Sequence, residues 1–259
     1  MNDKLKAFER LLNIMDDLRE KCPWDRKQTI HSLRNLTLEE SYELADAILK
    51  EDFQGVKEEI GDLMLHMVFY SKIASELGHF DIAGALNQVC EKLILRHPHI
   101  YGDISVSGEQ EVRKNWEKIK QSEGKSSVLS GVPDALPAVI KAYRMQEKTA
   151  QVGFEWENKN QVWSKVEEEL KEFRETVGQW DFDKKEEEFG DILFSLINYA
   201  RFEGIDPETA LEKVNQKFKK RFEFIEKNAH KDLDEMSLEE MDLLWEKSKV
   251  KDHSEVKNK

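Results

Sequence analysis

The sequence predicts an all-α protein built from two tandem helical units. Three observations carry this. No stretch alternates apolar and polar residues long enough for a sheet strand, whereas apolar residues recur at three- and four-residue spacing. Structure breakers are scarce, with 12 Gly and 5 Pro in 259 residues, so long helices go uninterrupted. One acidic pattern occurs twice: Glu39, Glu40, Glu43, Glu59 and Asp62, each moved 129 positions on, land on Glu168, Glu169, Glu172, Glu188 and Asp191, matching in type.

Residues 2–20 read as an amphipathic helix with Leu5, Phe8, Leu12, Met15 and Leu18 on one side, broken by Cys22-Pro23-Trp24-Asp25. A second helix is predicted from about Ser32 to Lys50 and a third from about Gln54 to Glu76, ended by Gly78. The stripe Val56, Ile60, Leu63, Met64, Met67 and Val68 predicts which face of the third is buried. Asp81 caps a fourth helix that stops before Pro98. A loop through Gly102 and Gly108 leads to a short helix bearing Trp116 and Lys120. Residues 123–135, rich in Ser, Gly and Pro, read as a linker between an N-terminal unit, 1–122, and a C-terminal unit, 136–259.

The plan then repeats. Leu136 to Ala150 is a helix, Val152 to Trp156 a connection, and Asn160 to Thr176 with Lys184 to Phe202 the second acidic pair. Asp206-Pro207 opens the next helix with a cap and a first-turn proline. Ser237 and Glu240 have capping-box spacing at the start of the last helix, which bears Trp245 and Lys249; the charged tail from Val250 is expected to be loose. Trp116 and Lys120 also shift by 129 to Trp245 and Lys249, and Lys92 and Arg96 map to Lys217 and Arg221 across a four-residue deletion, so a tandem duplication accounts for the pattern.

Composition narrows the partners. A net charge of −13 repels nucleic-acid backbones and anionic membranes. The two cysteines, Cys22 and Cys90, form neither a disulfide framework nor a CxxC motif, which suits a reducing compartment. The first residues lack the apolar core of a signal peptide, and the apolar stretch Leu63 to Tyr70 is too short to span a bilayer, so a cytoplasmic protein is expected.

A glutamate run on a helix is ordinarily a solvated face, and Thr37 with Glu40 has the spacing of a simple capping box. Two neighbouring helices that both carry like charges at i, i+3 or i+4, and do so twice, point instead to a site whose repulsion a cation relieves. An all-carboxylate set without Cys or His suits Mg²⁺, with Mn²⁺ as a substitute. A di-iron bundle needs Glu-x-x-His pairs on two helices; the one such spacing is Glu76 to His79, beside Gly78. His66 reads as a packed core residue, since its repeat partner is Ser195. Carboxylates facing Lys and Arg suit a polyphosphate, and phosphoryl transfer needs positioning and charge neutralisation rather than a nucleophilic side chain. No GxxxxGK[ST] or GxGxxG loop is present. The readings from other classes are a nucleotide- or metal-sensing bundle without turnover and a purely structural acidic bundle.

EESYE with EEIGD, and EEELKE with EEEFGD, resemble the MazG nucleoside triphosphate pyrophosphohydrolases of the all-α NTP pyrophosphatase group. CPWDRKQTIHSL, RHPHIYGD and GVPDALPAVIKAYRMQEKTAQVGFEW resemble the same family, so the likeness covers nearly the whole chain. It implies Mg²⁺-dependent hydrolysis of nucleoside triphosphates to monophosphates and pyrophosphate by a helical homodimer. It implies that Glu169, Glu172, Glu188 and Asp191 hold the metal and Glu168 serves as ligand or base. Lys165, Lys184, Lys217, Arg221 and Lys249 would meet the phosphates, with Glu187 in the same nucleotide-binding set and Trp245 packed on the nucleotide. The matching first-repeat set is Glu39, Glu40, Glu43, Glu59, Asp62, Lys92, Arg96, Trp116 and Lys120. Lys165 and Lys184 shift back to Leu36 and Gly55, and Lys57 compensates only in part, so the second copy is expected to be the main catalyst.

Overall fold

The computed structural model describes residues 2–108, 111, 112, 115, 116, 119 and 127–256, with side chains described as far as Val250. Among the described residues the chain is helical throughout and has no strand, as the spacing predicts. It divides into two compact units, Met1–Trp116 and Glu117–Lys259.

In the first unit, α1 (Asp3–Lys21) starts where Asn2 Oδ1 accepts the Lys4 amide. α2 (Ile30–Leu49) begins two residues earlier than predicted, because Thr29 and Ser32 form a reciprocal capping box. Thr37 therefore sits inside α2, where its hydroxyl bonds the Leu33 carbonyl and the Tyr70 hydroxyl; the alternative cap at Thr37 is not formed. Asp52 caps α3 (Phe53–Glu76), and Gly78, at φ +75°, follows its end. The connection between α2 and α3 is three residues long, which turns the helices back on each other. α4 (Ile82–Arg96) is capped by Asp81 as expected, and one turn, α5 (Pro98–Tyr101), follows. Met15, Leu33, Val68, Phe69 and Ile73 form the core, with Phe8, Leu11, Leu12 and Leu36 packed against it. Each fully buried side chain of this size contributes about 1.5–3 kcal/mol.

One expectation holds only in part: Val68 is buried and Val56 and Leu63 half-buried, but Ile60, Met64 and Met67 are exposed, at 50%, 41% and 43%, and α3 also buries His66, Phe69, Ile73 and Ala74. Helix periodicity marks an apolar face, but the packing of α1 on α3 selects the neighbouring one.

In the second unit, the predicted linker contains a 3₁₀ turn, Val128–Gly131, packed against α6 (Ala138–Gln151). α7 (Lys159–Thr176), α8 (Phe182–Phe202), α9 (Pro207–Asn228) and α10 (Leu238–Val256) follow. Asn158, Asp181 and Asp206 cap α7, α8 and α9, and Ser237 and Glu240 form the predicted capping box. α7 lies along α8 as α2 lies along α3. Val162, Val166, Ile192 and Ile197 are buried between them and their neighbours. The backbone from Val250 continues α10 to Val256 rather than loosening. No helix among the described residues is long and apolar enough to cross a membrane.

Candidate active site

α7 places Lys165, Glu168, Glu169 and Glu172 at i, i+3, i+4 and i+7, and α8 places Lys184, Glu188 and Asp191 at i, i+4 and i+7, so each set shares one face. Pairing the two helices brings carboxylate oxygens of Glu169, Glu172 and Glu188 within 4.8 Å of one another. Glu169 is only 5% exposed, and Lys165 answers its charge: Nζ lies 2.7 Å from Glu169 and 2.9 Å from Glu168. The hydrogen bond to Glu169 first, and that to Glu168 second, hold the Lys165 pKa above its usual value. The Glu172 carboxyl is pushed up by desolvation first, then by Glu169, Glu188 and Glu168. Asp191 stands outside the tight group and lines a cavity with Glu169 and Lys165.

The donor set fits a hard divalent cation. At Mg–O distances of about 2.0–2.1 Å, octahedral ligand oxygens lie about 2.9 Å apart as neighbours and about 4.1 Å apart across the ion. The three carboxylate oxygens lie within 4.8 Å of one another, on the scale of these separations.

The first unit repeats the cluster with Glu40, Glu43 and Glu59 within the same 4.8 Å. Leu36 takes the place of Lys165, and no lysine pairs with these carboxylates among the described residues. Desolvation first raises the Glu40 carboxyl, and Asp62, Glu43 and Glu39 add to the rise; desolvation also leads the rise at Glu59, which lies beside Glu40. Glu39, Glu43, Glu58 and Glu59 border an open cleft of about 700 Å³. A Cβ at Gly55, the position of Lys184, would stand 2.9 Å from Asp52 Oδ2 and 3.2 Å from Ala47 Cβ, so a lysine there disturbs the α3 cap. His66 is buried with Nδ1 unpartnered and its pKa lowered by desolvation, as a packed histidine.

The other named residues fall in several places. Lys184 and Glu187 are exposed on the first turns of α8. Arg221 on α9 lies over the Trp245 ring of α10 at 5.5 Å, Phe218 packs on the same ring, and Lys217 is one turn before Arg221. Lys249 is paired with Glu246. In the first unit Trp116 packs edge-on against His97, Lys92 is exposed and Arg96 is half-buried, whereas Lys120 lies outside the described residues.

Sequence reasoning missed a cavity of about 560 Å³ that opens beside the second cluster. Lys165, Glu169 and Asp191 line it together with Gln146, Asn198 and the aromatic side chains of Phe154, Trp156 and Phe194. The aromatic residues of the GFEW segment were its one visible sign.

Comparison with known proteins gives a consistent picture. The model of the MazG nucleotide pyrophosphohydrolase domain matches twice, at residues 28–101 and 158–225, together more than half of the chain. A Thermotoga maritima protein described as nucleoside triphosphate pyrophosphohydrolase/pyrophosphatase MazG is 44% identical over 95% of this chain and 97% of its own length. An Escherichia coli K12 nucleoside triphosphate pyrophosphohydrolase is 39% identical over 95% and 98%. The crystal structure of a mazG-related protein from Thermotoga maritima aligns with 44% of this chain and 98% of its own, at 32% identity and a TM-score of 0.40. The two family-model matches and the near full-length likeness to the Thermotoga maritima pyrophosphohydrolase establish that the chain belongs to the MazG nucleotide pyrophosphohydrolase family.

Proposed function

We propose that this hydrolase cleaves nucleoside triphosphates to monophosphates and pyrophosphate with Mg²⁺, or Mn²⁺ in its place, and that the second repeat is the main active site. The observation that carries this reading is the pairing of three clustered carboxylates with Lys165 beside a nucleotide-sized cavity. Glu169, Glu172, Glu188 and Asp191 would hold the metal, the first three clustered within 4.8 Å and Asp191 beside them on the cavity wall. When bound, the ion neutralises phosphate oxygens and lowers the pKa of coordinated water.

The chain's own groups do the rest. Glu168 takes a proton from the attacking water, with Lys165 fixing its carboxylate. Lys165 Nζ, 2.7 Å from Glu169, would be available to the phosphates if a cation held by the carboxylates balanced the Glu169 charge. Lys184, Lys217, Arg221 and Lys249 complete the cationic side, with Glu187 at its rim, and Trp245, held by Arg221 and Phe218, packs on the nucleotide. The reaction needs alignment and charge balance more than a covalent nucleophile. The first repeat, with Glu39, Glu40, Glu43, Glu59, Asp62, Lys92, Arg96, Trp116 and Lys120, is a weaker or structural copy. The working form is a homodimer in the cytoplasm; exposed Ile60, Met64, Met67, Phe189, Leu193 and Leu196 on the two acidic helix pairs support association.

Purified protein with a panel of nucleoside triphosphates, with Mg²⁺ or with chelator, tests the reaction. Pyrophosphate and monophosphate in equal amounts, only with metal, is the expected result. Orthophosphate without pyrophosphate sinks it, and light scattering at the assay concentration tests the dimer.

A further inference from the structure

One wall of the cavity beside the second cluster does not come from a helix. The connection between α6 and α7 lines it with Gly153, Phe154, Glu155 and Trp156. The backbone of this segment is pinned at both ends. Gly153, at φ +90°, closes α6: its amide donates to the Ala150 carbonyl at 3.0 Å, and the Phe154 amide donates to the Thr149 carbonyl at 3.0 Å. Beyond Trp156, the Glu157 amide donates to Gln161 Oε1 at 3.0 Å, and Asn158 caps α7.

Glu155 braces the middle. Its Oε2 pairs with Arg201 Nη2 at 2.5 Å, and its Oε1 accepts the Trp156 amide at 2.9 Å. Arg201, on α8, is fixed in turn. Its Nε and Nη2 donate to Asn198 Oδ1 at 3.2 and 3.0 Å, and its guanidinium lies 4.9 Å from the centre of the Phe202 ring. The two side chains of the ion pair are only 14% and 27% exposed, so water and salt screen it less than a surface pair.

Between these fixed points stands one exposed ring. Phe154 lines the cavity yet is 82% exposed. On a pinned backbone it moves by rotating about its own side-chain bonds, a change of picoseconds to nanoseconds. Leaving the ring in water is unfavourable, and a ligand in the cavity offers it a surface to cover. The first unit has no counterpart. Counting back 129 residues, Phe154 falls on Asp25, which is buried in the 3₁₀ turn Asp25–Lys27 with its carbonyl bonded by Arg19. Asn198 falls in the same way on Phe69, packed in the core.

We infer that Phe154 is a gate at the mouth of this cavity: its ring swings over a bound substrate, and Glu155 and Arg201 are positioning residues that hold its backbone at the rim. The inference rests on the reaction proposed above and adds what closes the site behind the substrate. A closed ring adds buried apolar contact and slows escape of the ligand.

The test uses the full chain with Mg²⁺ and the analogues of ATP, GTP, CTP and UTP that carry a methylene in place of the α–β bridging oxygen. Wild type is compared with Phe154→Ala, Phe154→Tyr and Glu155→Gln by calorimetry, and the ligand-free Tm of each is measured. Because Phe154 is exposed without ligand, Phe154→Ala leaves that Tm unchanged, while Kd for the best-bound analogue rises about tenfold, the scale of burying most of one aromatic ring. The rise lies in faster dissociation by stopped flow. Phe154→Tyr keeps the ring and binds as wild type does. Glu155→Gln keeps an oxygen for the Trp156 amide but loses the charge facing Arg201; its Kd rises about threefold, with kcat for the triphosphate unchanged. An unchanged Kd in Phe154→Ala overturns the gate. So does a lower ligand-free Tm, which would make the ring part of the packed fold, and so does a changed oligomeric state with Kd retained, which would make it a contact between copies. A wild-type Kd in Glu155→Gln removes Glu155 and Arg201 as positioning residues. If wild type binds an analogue but releases no pyrophosphate from any triphosphate, the reaction falls and the Kd comparison still decides the gate. If wild type binds none of the analogues, the gate falls.

Discussion

The two carboxylate clusters share a sequence spacing and a three-oxygen geometry, yet they balance their charge differently. In the second, Lys165 reaches across one helical turn to Glu169 and Glu168. In the first, Leu36 packs against the core, and Glu40 and Glu59 lie side by side with no lysine paired to them among the described residues. Were a metal ion bound, Lys165 would still stand beside the second cluster as a cation for a triphosphate, which the first cluster lacks at the equivalent position, Leu36. Beside the second cluster is a cavity with fixed polar groups; at the corresponding place in the first is Phe69. Duplication kept the carboxylates and let the surroundings diverge.

The strongest way to break this contrast is to neutralise each cluster in turn. Glu169→Gln with Glu172→Gln lowers kcat about 10²–10³-fold, on the scale of removing a key electrostatic group from an active site. Glu40→Gln with Glu43→Gln leaves kcat within about twofold. Steady-state pyrophosphate release measures both, and equal losses, or a larger one from the first pair, would end the assignment of the second repeat as main catalyst.

Metal-induced stabilisation comes next. A ligand that binds only the folded state at about 100 times its Kd adds about 2.7 kcal/mol. The pH dependence follows from Glu40, Glu59 and Glu172, whose folded pKa values are raised, chiefly by desolvation. Raised carboxyl pKa values mean that their stabilising contribution is complete below the unfolded values and is lost as pH rises through the folded ones. At neutral pH these groups therefore burden the fold, and Mg²⁺ relieves them. Scanning calorimetry with and without Mg²⁺ is expected to show a Tm gain at about pH 8 that shrinks on acidification towards pH 5, because protons and metal compete for the same oxygens. A gain that is constant over this range would remove the carboxylates from the binding site.

How far this was visible beforehand depends on how local the cause is. The helices and their caps could be read because Asp81, Asp206 and Ser237 act within three residues of themselves. The acidic pairs could be read because helical spacing alone puts Glu169 and Glu172 on one face. The exposure of Ile60, Met64 and Met67 could not, since α1 decides which face of α3 is covered. Nor could the cavity beside the second cluster: Gln146 and Phe194, which meet in its wall through the Phe194 carbonyl, are 48 residues apart in sequence. Shifting Asn198 back to Phe69 gives the one hint, a polar residue where the sister copy has a core aromatic.

A smaller effect sharpens the role of Lys165. Lys165→Leu gives the second cluster the first cluster's residue. It costs about tenfold in kcat/KM through the lost contact with phosphate, on the scale of one charge-assisted hydrogen bond. It also leaves Glu169 buried without its cation, so the variant's Tm falls. The folded Lys165 pKa is raised, so its stabilising contribution is complete below the unfolded lysine value and is lost only as pH rises through the folded one. The Tm deficit of the variant is thus the same at pH 6 and pH 8. Turnover equal to wild type would make Lys165 a purely structural cation.

The smallest effect separates the fold of the first unit from its chemistry. Arg19 bonds Glu76 with Nε and Nη2, and its Nη1 bonds the carbonyls of Asp25 and Gln28, tying α1 and the 3₁₀ turn Asp25–Lys27 to the end of α3. The Arg19 hydrogen bond holds the Glu76 carboxyl below its usual pKa. A depressed carboxyl pKa stabilises the fold above the unfolded value, about 4.3, and that contribution disappears as pH falls through the folded value. Glu76 is partly exposed, so Arg19→Met is expected to cost only about 1 kcal/mol at neutral pH, with the difference from wild type narrowing in acid. Its kcat is unchanged, because the bond lies at the opposite end of α3 from Glu59. Denaturant melts at about pH 7 and pH 4 measure the first claim and pyrophosphate release the second. A large loss of turnover from Arg19→Met, with stability preserved, would mean that the first unit contributes to catalysis after all and that the two repeats are less different in function than their clusters are in structure.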